Sequence, residues 1–283
     1  MIRLCALLPA PDPEATLRMA ERLGVWGTGL QLAPEATEAG AAAAGRRFRD
    51  AGLHLVQLAD DRNVSTPVEE VRRGAAEHLR RSLALASAAG ALAVCTGAGH
   101  CDPARPEQPF AAHPANMGAE ALDRLALTCR EALQGQGGGA RLLVEPGVLG
   151  PLHSLLRASE AVRRVADSRF GILFDPVNLM NLDTYFDNGS FLRRCVQQLG
   201  PAIGLVHAKD ALLHPERFTF QLAEEPVGQG ALDYPALLQA LAALPGDVPL
   251  CVEHVGSEEA AAAALGHLRA VAQRAGLPLG GRA

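Results

Sequence analysis

Four short segments carry side chains that could do chemistry together: LLVEP with Glu145, LFDPVN with Asp175, GLVHAKD with His207 and LCVEHV with Glu253. In each, a polar group able to bind a metal closes or follows a run of apolar residues. A buried carboxylate is costly unless something pairs with it. Three carboxylates brought to one place would repel one another and raise their own pKa values. A divalent cation resolves that repulsion, and a neutral imidazole completes the set. Oxygen-rich ligands with one nitrogen suit one Mn²⁺ ion first, with Mg²⁺, Co²⁺ or Zn²⁺ as alternatives. A set without sulfur argues against a closed structural zinc site. Singly, each residue has a plainer reading: helix cap, ion-pair partner or hydrogen-bonded core histidine. The metal reading rests on their recurrence at the same end of successive strands.

Short apolar runs alternate with longer Ala/Leu/Arg/Glu segments, the periods of buried strands and amphipathic helices. Strands are predicted at residues 2–8, 25–33, 53–59, 91–97, 141–145, 170–175, 203–208 and 249–254. Helices are predicted at 13–24, 37–52, 68–90, 119–133, 154–166, 184–199, 235–244 and 258–276. A loop rich in Gly, Pro and His spans 98–115, QGQGGGA at 134–140 reads as a floppy connection, and a long loop follows the seventh strand. Eight strands, each followed by a helix, predict a single (β/α)8 TIM barrel over residues 1–283. A doubly wound sheet is the competitor, but no G-x-G-x-x-G follows the first strand and no Walker A motif is present. In a barrel the carboxyl ends of the strands carry the catalytic groups. Glu145, Asp175, His207 and Glu253 fall there, on four consecutive strands, spaced 30, 32 and 46 residues apart.

LLVEP, FDPVN, VHAKD and VEH, in that order, resemble the xylose isomerase-like TIM-barrel superfamily, closest to its sugar phosphate isomerase/epimerase group. VGQGALDYPALL at 227–238 is similar to that group's G-x-G-x-x-D-[YW] segment. The resemblance covers nearly the whole barrel and is most specific from Arg141 to Val255. It implies one divalent metal on Glu145, Asp175, His207 and Glu253, with Glu145 and Glu253 also moving the proton. The implied activity is isomerisation or epimerisation of a small sugar or keto-sugar through a metal-stabilised enediolate. The alternatives are a lyase or dehydratase acting on an inosose or 3-keto-glycoside, and a non-catalytic carbohydrate-binding barrel. Keto-sugar epimerases of the family often read D-x-x-H on the sixth strand, where this chain has Asn178, and place an Arg six residues after the seventh-strand His, where it has Leu213. The D-x-H that AP endonuclease relatives carry after that strand is missing.

Further candidates surround the four. Lys209 follows His207 at same-face spacing and either holds a substrate oxygen or pairs with Asp175 or Asp210. Asn178 either bonds substrate or caps the next helix. His100 and His113 lie in the rim loop after the fourth strand, as substrate contacts or as plain surface residues. Trp26 either stacks on a sugar or packs in the core. His254 is expected to point outward, since Glu253 points in.

Composition narrows the partners. The net charge is −5 with no basic block, which speaks against nucleic acid. No polybasic amphipathic segment and no run of roughly 20 apolar residues suggests a membrane. The N-terminal apolar run, broken by Pro9, Pro11 and Pro13, is a poor signal peptide. The six cysteines include no C-x-x-C pair and read as small buried hydrophobes in a reducing cytoplasm. Aromatic residues make up 4%, so a small sugar or polyol fits better than a stacked polysaccharide, and a homo-oligomer stays open.

Overall fold

The computed structural model describes residues 1–8, 12–31, 33, 35–216 and 219–281. Eight parallel strands close on themselves: β1 (Ile2–Ala6), β2 (Gly27–Leu30), β3 (His54–Ala59), β4 (Ala93–Gly97), β5 (Arg141–Glu145), β6 (Phe170–Phe174), β7 (Ile203–Ala208) and, past a short hairpin, β10 (Val248–Val252). β10 pairs with β7 on one side and with β1 on the other, from Ile2↔Val248 to Ala6↔Val252, which shuts the barrel. The long helices around it are α1 (Pro13–Leu23), α2 (Glu38–Asp50), α3 (Glu69–Ala89), α4 (Ala119–Leu133), α5 (Leu155–Val165), α7 (Asn188–Leu199), α8 (Tyr234–Ala242) and α9 (Glu258–Arg274). The expected (β/α)8 barrel is the fold. No helix among the described residues is long and apolar enough to cross a membrane.

Local chemistry places the helix ends. Asp12 caps α1 by accepting the Ala15 N–H, Pro13 occupies its first position, and Gly24 ends it at φ +62°. Side chains of Thr37, Ser154, Asp233 and Ser257 cap α2, α5, α8 and α9 in the same way.

Two expectations change. The sixth helix is two pieces, α6 (Leu182–Tyr185) and α7, because Asn181 opens the first with a capping box and the chain breaks at Phe186–Asp187. The long loop after β7 contains an antiparallel hairpin, β8 (Asp210–Leu213) and β9 (Leu222–Glu225), paired from Asp210↔Glu225 to Leu213↔Leu222. Strand ends also differ: the first strand stops at Ala6 and the second spans only Gly27–Leu30, while Pro9, Pro11 and Leu32 lie outside the described residues. A two-residue strand β11 (Leu279–Gly280) adds to β1.

The pleat sets the site. Leu143, Leu173, Leu205 and Cys251 belong to a small cluster, with Cys5, Val56, Ala93 and Cys95, distinct from the main core that includes helix residues. Two residues further along their strands come Glu145, Asp175, His207 and Glu253, so the period of two aims each at the barrel mouth. All six cysteines are free and buried.

Candidate metal centre

Glu145, Asp175, His207 and Glu253 each offer one ligand atom, and these atoms lie within 4.8 Å of one another. Asp175, His207 and Glu253 are buried, and Glu145 is partly so. His207 Nδ1 stands 2.7 Å from Glu253 Oε2 and 3.4 Å from Glu145 Oε1. Its Nε2 is 3.1 Å from Gln57 Oε1, an acceptor, so the ring proton belongs on Nε2 and the Nδ1 lone pair faces the carboxylates. That arrangement is repulsive unless a cation or a second proton lies between. Burial opposes a charged imidazole, but hydrogen bonds and charge from Glu145 and Glu253 outweigh it and push the His207 pKa up to about 10 when no metal is bound.

Asp175 divides its oxygens. Oδ1 accepts the N–H groups of Val177 at 2.9 Å and Asn178 at 3.2 Å, so DPVN is a carboxylate-capped turn begun by proline. Oδ2 lies 2.8 Å from Lys209 Nζ, which also sits 3.0 Å from Glu253 Oε1 and 3.1 Å from Glu224 Oε2. Burial disfavours the ammonium, yet the charges of Asp175 and Glu253 more than restore it, so Lys209 stays protonated. Burial likewise disfavours the Glu253 carboxylate, and His207 and Lys209 together hold its pKa far below the usual range.

The donor set fits a divalent cation. Asp175 Oδ2 and Glu253 Oε1 meet only the Lys209 ammonium, and His207 Nδ1 faces Glu253 and Glu145, so one buried atom from each of three strand ends is turned toward the same space. Among Glu145, Asp175, Glu253 and Lys209, three carboxylates face one ammonium, leaving two negative charges when His207 is neutral. One M²⁺ ion balances them.

The other candidates separate. Lys209 pairs with Asp175 and Glu253, not with Asp210. The Asp210 carboxylate instead accepts the N–H groups of Leu232 at 2.8 Å and Gly228 at 3.0 Å, fixing the loop before α8. Asn178 does not cap the next helix; its Nδ2 donates to Glu145 Oε1 at 3.0 Å and orients that carboxylate. His100, expected as a substrate contact, has its ring buried and engaged by its own loop and by Asn63 Nδ2. Nδ1 accepts the Asp102 N–H at 3.1 Å and Nε2 meets the Gln108 carbonyl at 2.8 Å. His113 caps a short turn by accepting the Ala115 N–H at 3.2 Å. Trp26 precedes β2 and stacks on His54, ring centroids 3.9 Å apart, at the amino end of the barrel and away from the site. His254 does not point outward. The chain turns there, at φ +52°, and its Nδ1 lies 2.5 Å from Glu224 Oε1 over the mouth.

Three residues of the mouth escape a linear reading. Gln57 breaks the apolar run LHLVQLA, a signal that could have been used. Asp61, two residues past β3, accepts the Gly97 N–H at 3.0 Å and helps line a cavity of about 360 Å³ with Gln57, Thr96, Glu145, His207 and Glu253. Glu224 comes from the hairpin, in a segment with no local mark.

A closed parallel barrel with convergent acids and an imidazole at its carboxyl end defines a class of barrel proteins with a metal-type site. The chain belongs to the xylose isomerase-like TIM barrel family, whose model matches residues 17–271. Similar solved structures include D-psicose 3-epimerase from Clostridium cellulolyticum H10, solved with D-tagatose: TM-score 0.71, 13% identity, 95% of this chain and 99% of that one covered. The 3-keto-D-glucoside 4-epimerase of E. coli aligns with TM-score 0.68 and 15% identity over 96% of this chain and 100% of that one. A xylose isomerase-like TIM barrel protein from Mycobacterium smegmatis, in complex with magnesium, aligns with TM-score 0.65 and 20% identity over 94% and 90%. Comparison with curated protein sequences finds no match.

Proposed function

We propose that the chain is a divalent-metal-dependent isomerase or epimerase acting on a small sugar or keto-sugar. The observation that carries this reading is the convergence of Glu145, Asp175, His207 and Glu253, with ligand atoms within 4.8 Å of one another and three carboxylates against the single Lys209 ammonium. Two epimerases and a magnesium-bound protein among the similar structures support it. A divalent ion held by the four would supply Lewis-acid polarisation of a substrate carbonyl, with Mn²⁺ preferred and Mg²⁺, Co²⁺ or Zn²⁺ as alternatives.

The chain's own residues supply the proton transfer. Glu145 on β5 and Glu253 just after β10 stand at the two ends of the arc β5–β6–β7–β10. One removes the proton beside the carbonyl and the other returns one. Return to the same carbon from the opposite side inverts it; return to the neighbouring carbon exchanges aldose and ketose. Asn178 orients the Glu145 carboxyl group, while His207 and Lys209 keep Glu253 ionised, so Glu253 is the group set to remove the proton, and the group opposite must carry the proton it returns. Gln57 holds the His207 tautomer.

Incubation of the Mn²⁺-loaded chain with a panel of keto-sugars in D₂O tests this. Incorporation of solvent deuterium at the carbon next to the carbonyl, abolished by chelation, is the expected result. A purified chain that neither binds a divalent metal nor exchanges hydrogen overturns the reading. Expulsion of a leaving group would instead assign a lyase.

A further inference from the structure

A second cavity, of about 600 Å³, adjoins the acidic mouth and shares Glu145 with it. Its volume falls within the roughly 300–1,000 Å³ of pockets that enclose drug-sized ligands. Its charged and amide side chains, Glu145, Asn178 and Glu224, are also those tied to the metal-type cluster. Apolar side chains supply much of the remaining wall: Phe110, Val148, Leu149, Met180, Phe220 and Leu222. Among the described residues, neither cavity is lined by Arg or Lys. Lys209, the nearest ammonium, is already committed to Asp175, Glu253 and Glu224, so among the described residues lining the two cavities no Arg or Lys is left to meet a phosphate or carboxylate.

The wall is held by dedicated buried contacts. Asn116 is fully buried and ties two rim loops together: its Nδ2 donates to Ala111 O at 2.9 Å and to Leu149 O at 2.7 Å, and its Oδ1 accepts the Cys101 N–H at 2.7 Å. His100 holds Gln108 in the same loop. Phe110 and Leu149 therefore project from braced backbone, although they are 60% and 63% exposed. Large apolar groups fixed in contact with water, continuous with a polar site, mark a surface that a ligand covers.

We infer that the substrate is a two-part molecule: a keto-sugar or polyol head at the acidic cluster, joined to an uncharged apolar group, aryl or alkyl, that fills this second cavity. The inference rests on the sugar isomerase or epimerase reading and narrows its substrate class from free or phosphorylated sugars to apolar conjugates.

Calorimetric titration of the Mn²⁺-loaded full chain with methyl and phenyl 3-keto-β-D-glucopyranoside tests it. The phenyl compound is expected to bind about tenfold tighter or more, the size expected from removing a ring from water. In F110A/L149S, both positions being exposed and outside the core, that ratio should fall to within about threefold. Equal affinity of the two compounds for the wild-type chain overturns the inference and leaves the metal-and-sugar reading standing. Failure of both to bind overturns the inference, and if the chain also neither binds Mn²⁺ nor exchanges hydrogen on any keto-sugar, the reading falls with it. A concentration-dependent dimer in sedimentation that F110A/L149S dissociates would assign the apolar wall to a second copy of the chain and overturn the inference.

Discussion

Asp175 closes a turn with one oxygen and faces the cation site with the other. Its neighbour in space, Lys209, neutralises only part of the charge that Glu145, Asp175 and Glu253 assemble, so a further cation has a place. Glu253 is the residue whose loss separates chemistry from folding. Glu253→Gln keeps the size of the side chain and a polar contact for His207 but removes the base. Turnover should fall by about 10²–10⁴, the usual contribution of a positioned proton-transfer group. The far-ultraviolet circular dichroism should be unchanged. Steady-state kinetics on a substrate found by deuterium exchange checks this, and undiminished turnover would rule out the proton-transfer role.

The loop after β4 depends on a neutral histidine. Burial lowers the His100 pKa below its ordinary 6.5, more than the Gln108 carbonyl and Asp102 raise it. A depressed folded pKa means the loop contact is fully present above about pH 6.5 and weakens as pH falls through the folded value. Protonation of Nδ1 also removes the acceptor for the Asp102 N–H. Amide-exchange protection at Asp102, corrected for the intrinsic rate, should therefore drop as pH falls through the depressed folded value, while amides within β4 keep theirs. Protection at Asp102 that stays level with that of the β4 amides at every pH down to acid unfolding would show that His100 does not hold the loop. Between helices, Gly45 of α2 lies against α3 so closely that a Cβ would overlap the Ala89 carbonyl. Gly45→Ala should destabilise the chain by about 1–3 kcal/mol through overpacking, read as a lower urea midpoint with unchanged slope.

Closure of β10 onto β1 joins the first strand of the chain to the last of the barrel, and the four candidate ligands come from separate strand ends. Metal binding should then stabilise the barrel as a unit. At a free Mn²⁺ concentration 100 times Kd, linkage adds about 2.7 kcal/mol. For a chain of this size that corresponds to a rise in Tm of about 4–5 °C. Differential scanning calorimetry with Mn²⁺ and with chelator measures it, and the rise should vanish in Asp175→Asn. Identical melting curves in metal and chelator would argue against a bound cation.

Much of this architecture was legible in the linear order of residues. The βα alternation and the polar residues two positions beyond inward-facing Leu143, Leu173, Leu205 and Cys251 are consequences of local backbone geometry, which a residue pattern records directly. What surrounds those residues was not legible. Gln57 meets His207 from 150 residues away, and Glu224 reaches Lys209 and His254 from a hairpin hidden in an apparent loop. Trp26 went to the opposite end of the barrel, His100 into its own loop, and His254 out of the strand pattern once its backbone adopted φ +52°. Sequence periodicity alone determined which side chains could face inward and in what order. Only closure of the barrel and the folding of its rim loops decided which of them meet, because those contacts depend on strand register and loop path rather than on neighbours in the chain.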